Sequence, residues 1–144
     1  MNTKKKFVVL GMSLLAICGT ISSASAYTYK NGTEYQYVTH QDVPNYGRAC
    51  YQTSYGSKKM TNVDLATFKA TYKDAWLGNF ASLIDVNKND KSTEIGLTVG
   101  KAEVTSEFGV SVGTVYFSAV ASSGLEPSNT CDVKMGFSAD NLAF

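Results

Sequence analysis

The residue types best suited to chemistry are few in this chain. In "DVNKNDKSTE", 85–94, Asp85, Asn87 and Asn89 set oxygen donors at alternate positions, and Glu94 follows. A calcium loop of the EF-hand kind wants donors at positions one, three and five, glycine at six and a bidentate Glu at twelve. Here Asp90 stands in place of the glycine and Gly96 in place of the Glu, with Glu94 two residues early. The same residues suit a solvated turn between strands that end in "SLIDV" and begin at "TEIGL", since Asn and Asp favour tight turns.

His40 is the single histidine. A catalytic triad would need it beside a nucleophile, and no nucleophile-elbow pattern surrounds any serine. Beside Gln41 and Asp42 and ahead of Pro44, it reads as a loop histidine. Glu103 and Glu107 are the carboxylates available for glycoside hydrolysis, but spacing alone does not set them across a cleft. No cofactor motif is present. The chain therefore reads as non-enzymatic, with an unrecognised hydrolase as the alternative.

The aromatic residues offer a different chemistry. "YTYKNGTEYQYV", 27–38, carries Tyr27, Tyr29, Tyr35 and Tyr37 around Asn31-Gly32. Tyrosine combines a broad apolar face with a polar tip, which suits recognition of sugars, peptides or protein surfaces. A two-residue loop at Asn31-Gly32 sets Tyr29 opposite Glu34 and divides the tyrosines between two faces. A three-residue loop, 30–32, sets Tyr27 opposite Tyr35 and gathers all four on one face. Tyr27, Tyr29, Tyr35 and Tyr37 are the candidate binding face in the second case and ordinary strand tyrosines in the first.

The elements that must hold these residues are strands. Tyr, Thr, Val and Ser dominate after residue 26, with glycine punctuation. "YGRACYQTSYG" alternates Ala49, Tyr51, Thr53 and Tyr55 against Cys50, Gln52 and Ser54. "IGLTVGKAEV" reads as a hairpin about Gly100-Lys101, pairing Val99 with Ala102 and Leu97 with Val104. "VSVGTVYFSAVAS", 110–122, has Val115, Tyr116 and Phe117 in sequence, which implies a strand covered on both faces. "CDVKMGFSA" alternates Val133, Met135 and Phe137 against Lys134 and Gly136. Segment 62–76 is ambiguous. Leu65, Phe68, Tyr72 and Trp76 have helical spacing, whereas its threonines and valine, with a bulge near Thr67, favour a strand. The expectation is an all-β fold: a two-sheet antiparallel sandwich of seven or eight strands.

The first residues read as an address. Lys4, Lys5 and Lys6 precede the apolar run "FVVLGMSLLAIC", and "SSASA" supplies an A-x-A cleavage pattern at Ala24 and Ala26. The run is shorter than the roughly 20 residues of a membrane span. Residues 1–26 are thus expected to be a secretory signal, leaving 27–144 as one domain, secreted and without a membrane span. Loss of the three lysines leaves ten basic residues against 12 acidic ones, so nucleic acid is not an expected partner. Cys18 leaves with the signal. An exported chain that keeps Cys50 and Cys131 is expected to join them in one disulfide. Its loop of roughly 80 residues would stabilise by about 4.5 kcal/mol in chain-entropy terms.

Arg48, Gln52 and Thr53 early, and Phe137, Ser138 and Asp140 late, form an Arg-x-x-x-Gln-Thr segment and an aromatic-Ser-x-Asp segment. With the lysine-led signal and short β domain, the layout resembles small secreted β-proteins of Gram-positive bacteria. These include the lactococcin-type bacteriocins, whose mature parts are small β-sandwiches. The resemblance implies a secreted effector or binding protein at the bacterial cell envelope, bacteriocin-like, with an envelope carbohydrate or protein as partner. It carries over no catalytic residue. A self-associating structural or matrix protein, joined through exposed strand edges, is the alternative.

Overall fold

The computed structural model describes residues 28–30, 33–47, 49–74, 78–123 and 129–140, with the backbone alone for 28–30 and 33–35. The expected signal segment, Tyr27, Arg48 and Trp76 lie outside the described residues. Among the described residues nine strands follow one another: β1 (Thr28–Lys30), β2 (Thr33–Pro44), β3 (Ala49–Lys58), β4 (Ala66–Lys73), β5 (Asn79–Ile84), β6 (Ile95–Gly96), β7 (Ala102–Thr105), β8 (Val115–Ser122) and β9 (Thr130–Ser138). They form a five-stranded sheet, order β1-β2-β9-β4-β7, and a four-stranded sheet, order β3-β8-β5-β6. Every pairing is antiparallel. The described residues contain no α-helix, and the architecture is a β-sandwich.

Each central strand is the one whose sequence is apolar on both faces or strictly alternating. β8 lies between β3 and β5 and buries all of its last five residues, Ser118–Ser122. β9 lies between β2 and β4 and buries Val133, Met135 and Phe137. Phe137 is opposite Phe68 of β4, and their rings stack at 6.2 Å between centroids. Such neighbouring aromatic pairs contribute beyond their buried area. Segment 62–76 resolves in favour of the strand β4. Its irregularity falls between Ala70 and Tyr72, not near Thr67.

The expected hairpin at 95–104 does not form. β6 pairs with β5 in one sheet and β7 with β4 in the other. The residues between them cross the sandwich through a turn closed by Lys101 N–H to Thr98 C=O at 3.1 Å. Gly100 takes φ +82° at the third position of that turn, a conformation that glycine adopts without steric cost.

The expected disulfide is also absent: Cys50 and Cys131 do not approach bonding distance. Cys131 sits in β9 opposite Val43, and the side-chain amide of Asn79 donates to its sulfur at 3.2 Å. Cys50 sits in β3 with its sulfur 3.5 Å from the Gln41 carbonyl. Both side chains pack on the same core cluster, but each sulfur faces a different polar partner. Burial, and then the charges of Asp42, Cys131 and Asp132, push the Cys50 thiol up and keep it protonated.

His40 is a strand residue, not a loop residue. It lies in β2 and is fully buried between the sheets. Its Nδ1 donates to the Cys50 carbonyl of β3 at 3.0 Å, which leaves Nε2 to accept from the Ser118 hydroxyl of β8 at 3.0 Å. Gln52 of β3 donates to the Thr39 carbonyl at 3.2 Å. β2 and β3 share no ladder, so these side chains satisfy the backbone groups where the two sheets meet.

Two predictions follow from this packing. Gly56 lies in the bulge of β3, and a methyl added there would stand 2.2 Å from a Val115 methyl and 2.9 Å from the Phe117 ring. Gly56→Ala should therefore destabilise by about 1–3 kcal/mol, and an unchanged urea midpoint would count against this packing. Burial lowers His40 from its usual 6.5 to about 4. The unfolded chain takes up that proton near pH 6.5 and the folded chain near pH 4. The stabilisation is complete above pH 6.5 and fades as pH falls toward 4, by up to about 3 kcal/mol. Thermal unfolding of wild type and His40→Gln between pH 4 and 7 checks this, and equal slopes would refute it.

Candidate functional site

Two polar constellations stand out. The first is an open groove of about 460 Å³ lined by Tyr37, Thr39 and Gln41 of β2, Gln52 and Tyr55 of β3, and Lys134 of β9. Alternation in β2 sends Gln36, Val38 and His40 into the interior and turns Tyr37 and Gln41 to solvent, with Thr39 half-buried. β3 departs from its ladder with β8 between Gln52 and Ser57, and Tyr55 belongs to this detour. Tyr37 is 45 % exposed and Tyr55 37 %. The Lys134 ammonium lies 5.4 Å from the Tyr72 ring centre, a cation–π contact that steadies it beside the groove. The lining thus offers two aromatic faces, a hydroxyl, two amides and a cation.

In the first hairpin Lys30 pairs with Thr33, Tyr29 with Glu34 and Thr28 with Tyr35, the register of the two-residue connection. Of the four nominated tyrosines Tyr37 lines the groove, while Tyr27 and the side chains of Tyr29 and Tyr35 lie outside the described residues.

The second constellation is internal. Lys59, one residue past β3, is only 1 % exposed. Its Nζ lies 2.7 Å from Glu107 Oε2, 2.7 Å from the Ala139 carbonyl, 2.5 Å from the Asp64 carbonyl and 3.3 Å from Asp140 Oδ1. The Lys59 backbone is fixed by its amide to the Thr114 carbonyl and by the Gly113 amide to its own carbonyl. Glu107 follows β7 and is held by a bridge to Ser92; Asp140 follows β9. Asp140 is fully buried and accepts from the Met60 amide at 2.7 Å and the Thr61 amide at 3.3 Å. Glu107 Oε1 is buried without a hydrogen-bond partner. Burial pushes the Glu107 carboxyl up, and Lys59 and the Ala66 amide only partly oppose it.

The remaining sequence candidates are placed as follows. Asp85 accepts from the amides of Asn87 and Asn89 at 2.8 and 2.9 Å and from the Asn89 side chain at 3.1 Å. The Asn89 amide, ahead of the others, holds its carboxyl below the usual range. The segment is a turn, with Lys88 at φ +66° and the Asp85 oxygens committed to the turn's own donors. Glu94 is exposed, beyond that turn. Among the described residues no group of three or more His, Cys, Asp or Glu could hold a metal. Glu103 pairs with Lys101 at 2.9 Å and Glu107 with Lys59, so each carboxylate answers to a different lysine. The sequence reading missed Lys59 because a lysine in "SKKMT" looks like any solvated one. Its faint signal was Asp140 in the late aromatic-Ser-x-Asp segment.

No protein-family model and no curated protein matches the chain. Among solved structures, the chain aligns with the capsular polysaccharide assembling protein CapF from Staphylococcus aureus at 12% identity and a TM-score of 0.25. The alignment covers 88% of this chain and 31% of that one, so the chain spans about a third of the length of the protein it aligns with.

Proposed function

We propose that this chain is a secreted, non-enzymatic binding protein acting at the bacterial cell envelope, with carbohydrate as the ligand of the Tyr37–Tyr55–Lys134 groove. The observation that carries the reading is the groove's lining. Tyrosine faces cover the C–H faces of sugar rings, while Thr39, Gln41 and Gln52 offer hydroxyl and amide partners for sugar hydroxyls. Lys134 adds a cation for an acidic sugar or a substituted one. The export reading rests on the leader-like sequence of 1–26 and on the resemblance to small secreted β-proteins, bacteriocins among them. The hydrolase reading is less favoured, because Glu103 and Glu107 have separate lysine partners. Self-association through strand edges is also less favoured: the longest edge strand of the smaller sheet, β3, is interrupted by its own bulge, a device that blocks edge-to-edge pairing.

Titration of the purified protein with solubilised cell-wall polysaccharides tests the proposal. Binding is expected, with Tyr37→Ala and Tyr55→Ala each weakening it about tenfold, close to 1.4 kcal/mol, at an unchanged unfolding midpoint. Lack of binding by the wild type to neutral and acidic polysaccharides alike would overturn it.

A further inference from the structure

Lys59, Glu107 and Asp140 are arranged for a reaction between side chains. An ammonium has three N–H donors, yet four oxygens surround Lys59 Nζ. The contacts at 2.5, 2.7 and 2.7 Å account for the three hydrogens. Asp140 Oδ1, at 3.3 Å, is the fourth, which brings the carboxyl group that would react beside the nitrogen. The carboxyl cannot turn away, because its two oxygens are held by the Met60 and Thr61 amides. Glu107 meets the amine with one oxygen and keeps the other buried without a partner. The three side chains are 1 %, 4 % and 0 % exposed. At that burial one cation and two anions are costly in their charged forms, and proton transfer within the cluster relieves part of the cost.

We propose that Lys59 and Asp140 condense into an intramolecular amide, Nζ to Cγ, with Glu107 as the proton carrier. Glu107 takes a proton from the ammonium, and the freed nitrogen lone pair attacks Asp140 Cγ. The Met60 and Thr61 amides face the oxygens on which negative charge develops, as donors in an oxyanion site do. Glu107 delivers its proton to one Asp140 oxygen, collects a second proton from the nitrogen and delivers that to the same oxygen. The N–C bond forms, the C–O bond breaks and one water leaves. Ammonium plus carboxylate becomes amide plus water, so atoms and charge balance, nothing is oxidised and Glu107 ends as it began. Burial raises Glu107 toward the protonated form, as such a relay requires. The product is a covalent tie from the end of β3 in one sheet to the end of β9 in the other.

Intact-mass measurement and peptide mapping of the full chain decide the matter. The expected mass is one water below that calculated from the N-terminus found in the map, with a branched peptide joining the Lys59 and Asp140 segments. Glu107→Gln and Lys59→Arg should retain the full mass and give linear peptides. Wild type at full mass, with Lys59 and Asp140 in separate peptides, would show an ion pair only and overturn the proposal. So would loss of water without a branched peptide. A fully linked Glu107→Gln would remove Glu107 from the chemistry. The wild-type map stands even if a variant fails to fold, and it is independent of any polysaccharide result.

Discussion

Taking Lys59 out of water is the constraint to which one end of the sandwich is built. An amine at that depth must be surrounded by oxygens, and they come from four places: Asp64 before β4, Glu107 after β7, and Ala139 and Asp140 after β9. Each acceptor residue is itself held by a hydrogen bond or by a neighbouring strand. The serines beside the cluster extend it, since Ser57 accepts from the Ala139 amide and Ser138 from the Asp140 amide. The ends of β3 and β9, in different sheets, are thereby held together by polar groups where a purely apolar core would leave them free to slide. Leaving any one member unmatched would strand a buried charge, which is far costlier than exposing it.

The opposite edge uses the same device with neutral groups. His40 joins β2 to both β3 and β8, and Gln52 reaches back to β2. Between these junctions lies an ordinary apolar core of Val, Leu, Met and Phe. The groove on the outer surface follows from this frame. Because His40 and Val38 must face inward, Tyr37 and Gln41 must face outward, and the β3 detour brings Tyr55 and Gln52 to meet them.

Much of this frame was legible from residue order. The period-two alternation of "CDVKMGFSA" and the two-sided apolar run of "VYFSAVAS" marked β9 and β8, and both proved to be central strands. The turn at 85–90 was legible because Asn and Asp carry their own hydrogen-bonding instructions. Three things were not. The crossing at 97–101 looks like a hairpin locally, and only the other strands determine which sheet each arm joins. The cysteines look like a bridge by counting, but counting does not orient sulfur atoms. Lys59 looks solvated, because a lysine's burial depends on acceptors 48 and about 80 residues away in sequence.

β9 occupies the middle of the larger sheet, flanked by β2 and β4, although it is the last strand described. Its first residue, Thr130, pairs with Pro44 of β2, 86 residues earlier, and Ser138 pairs with Tyr35, 103 residues earlier. The sheet therefore cannot be completed until Thr130 and its successors are available to pair. Until then β2 and β4 have no common neighbour. Loop closure over such distances is slow, so the chain stays threadable for longer than a sequence of local hairpins would. The order of the strands thus acts as a timer, keeping the larger sheet unfinished until β9 is in place.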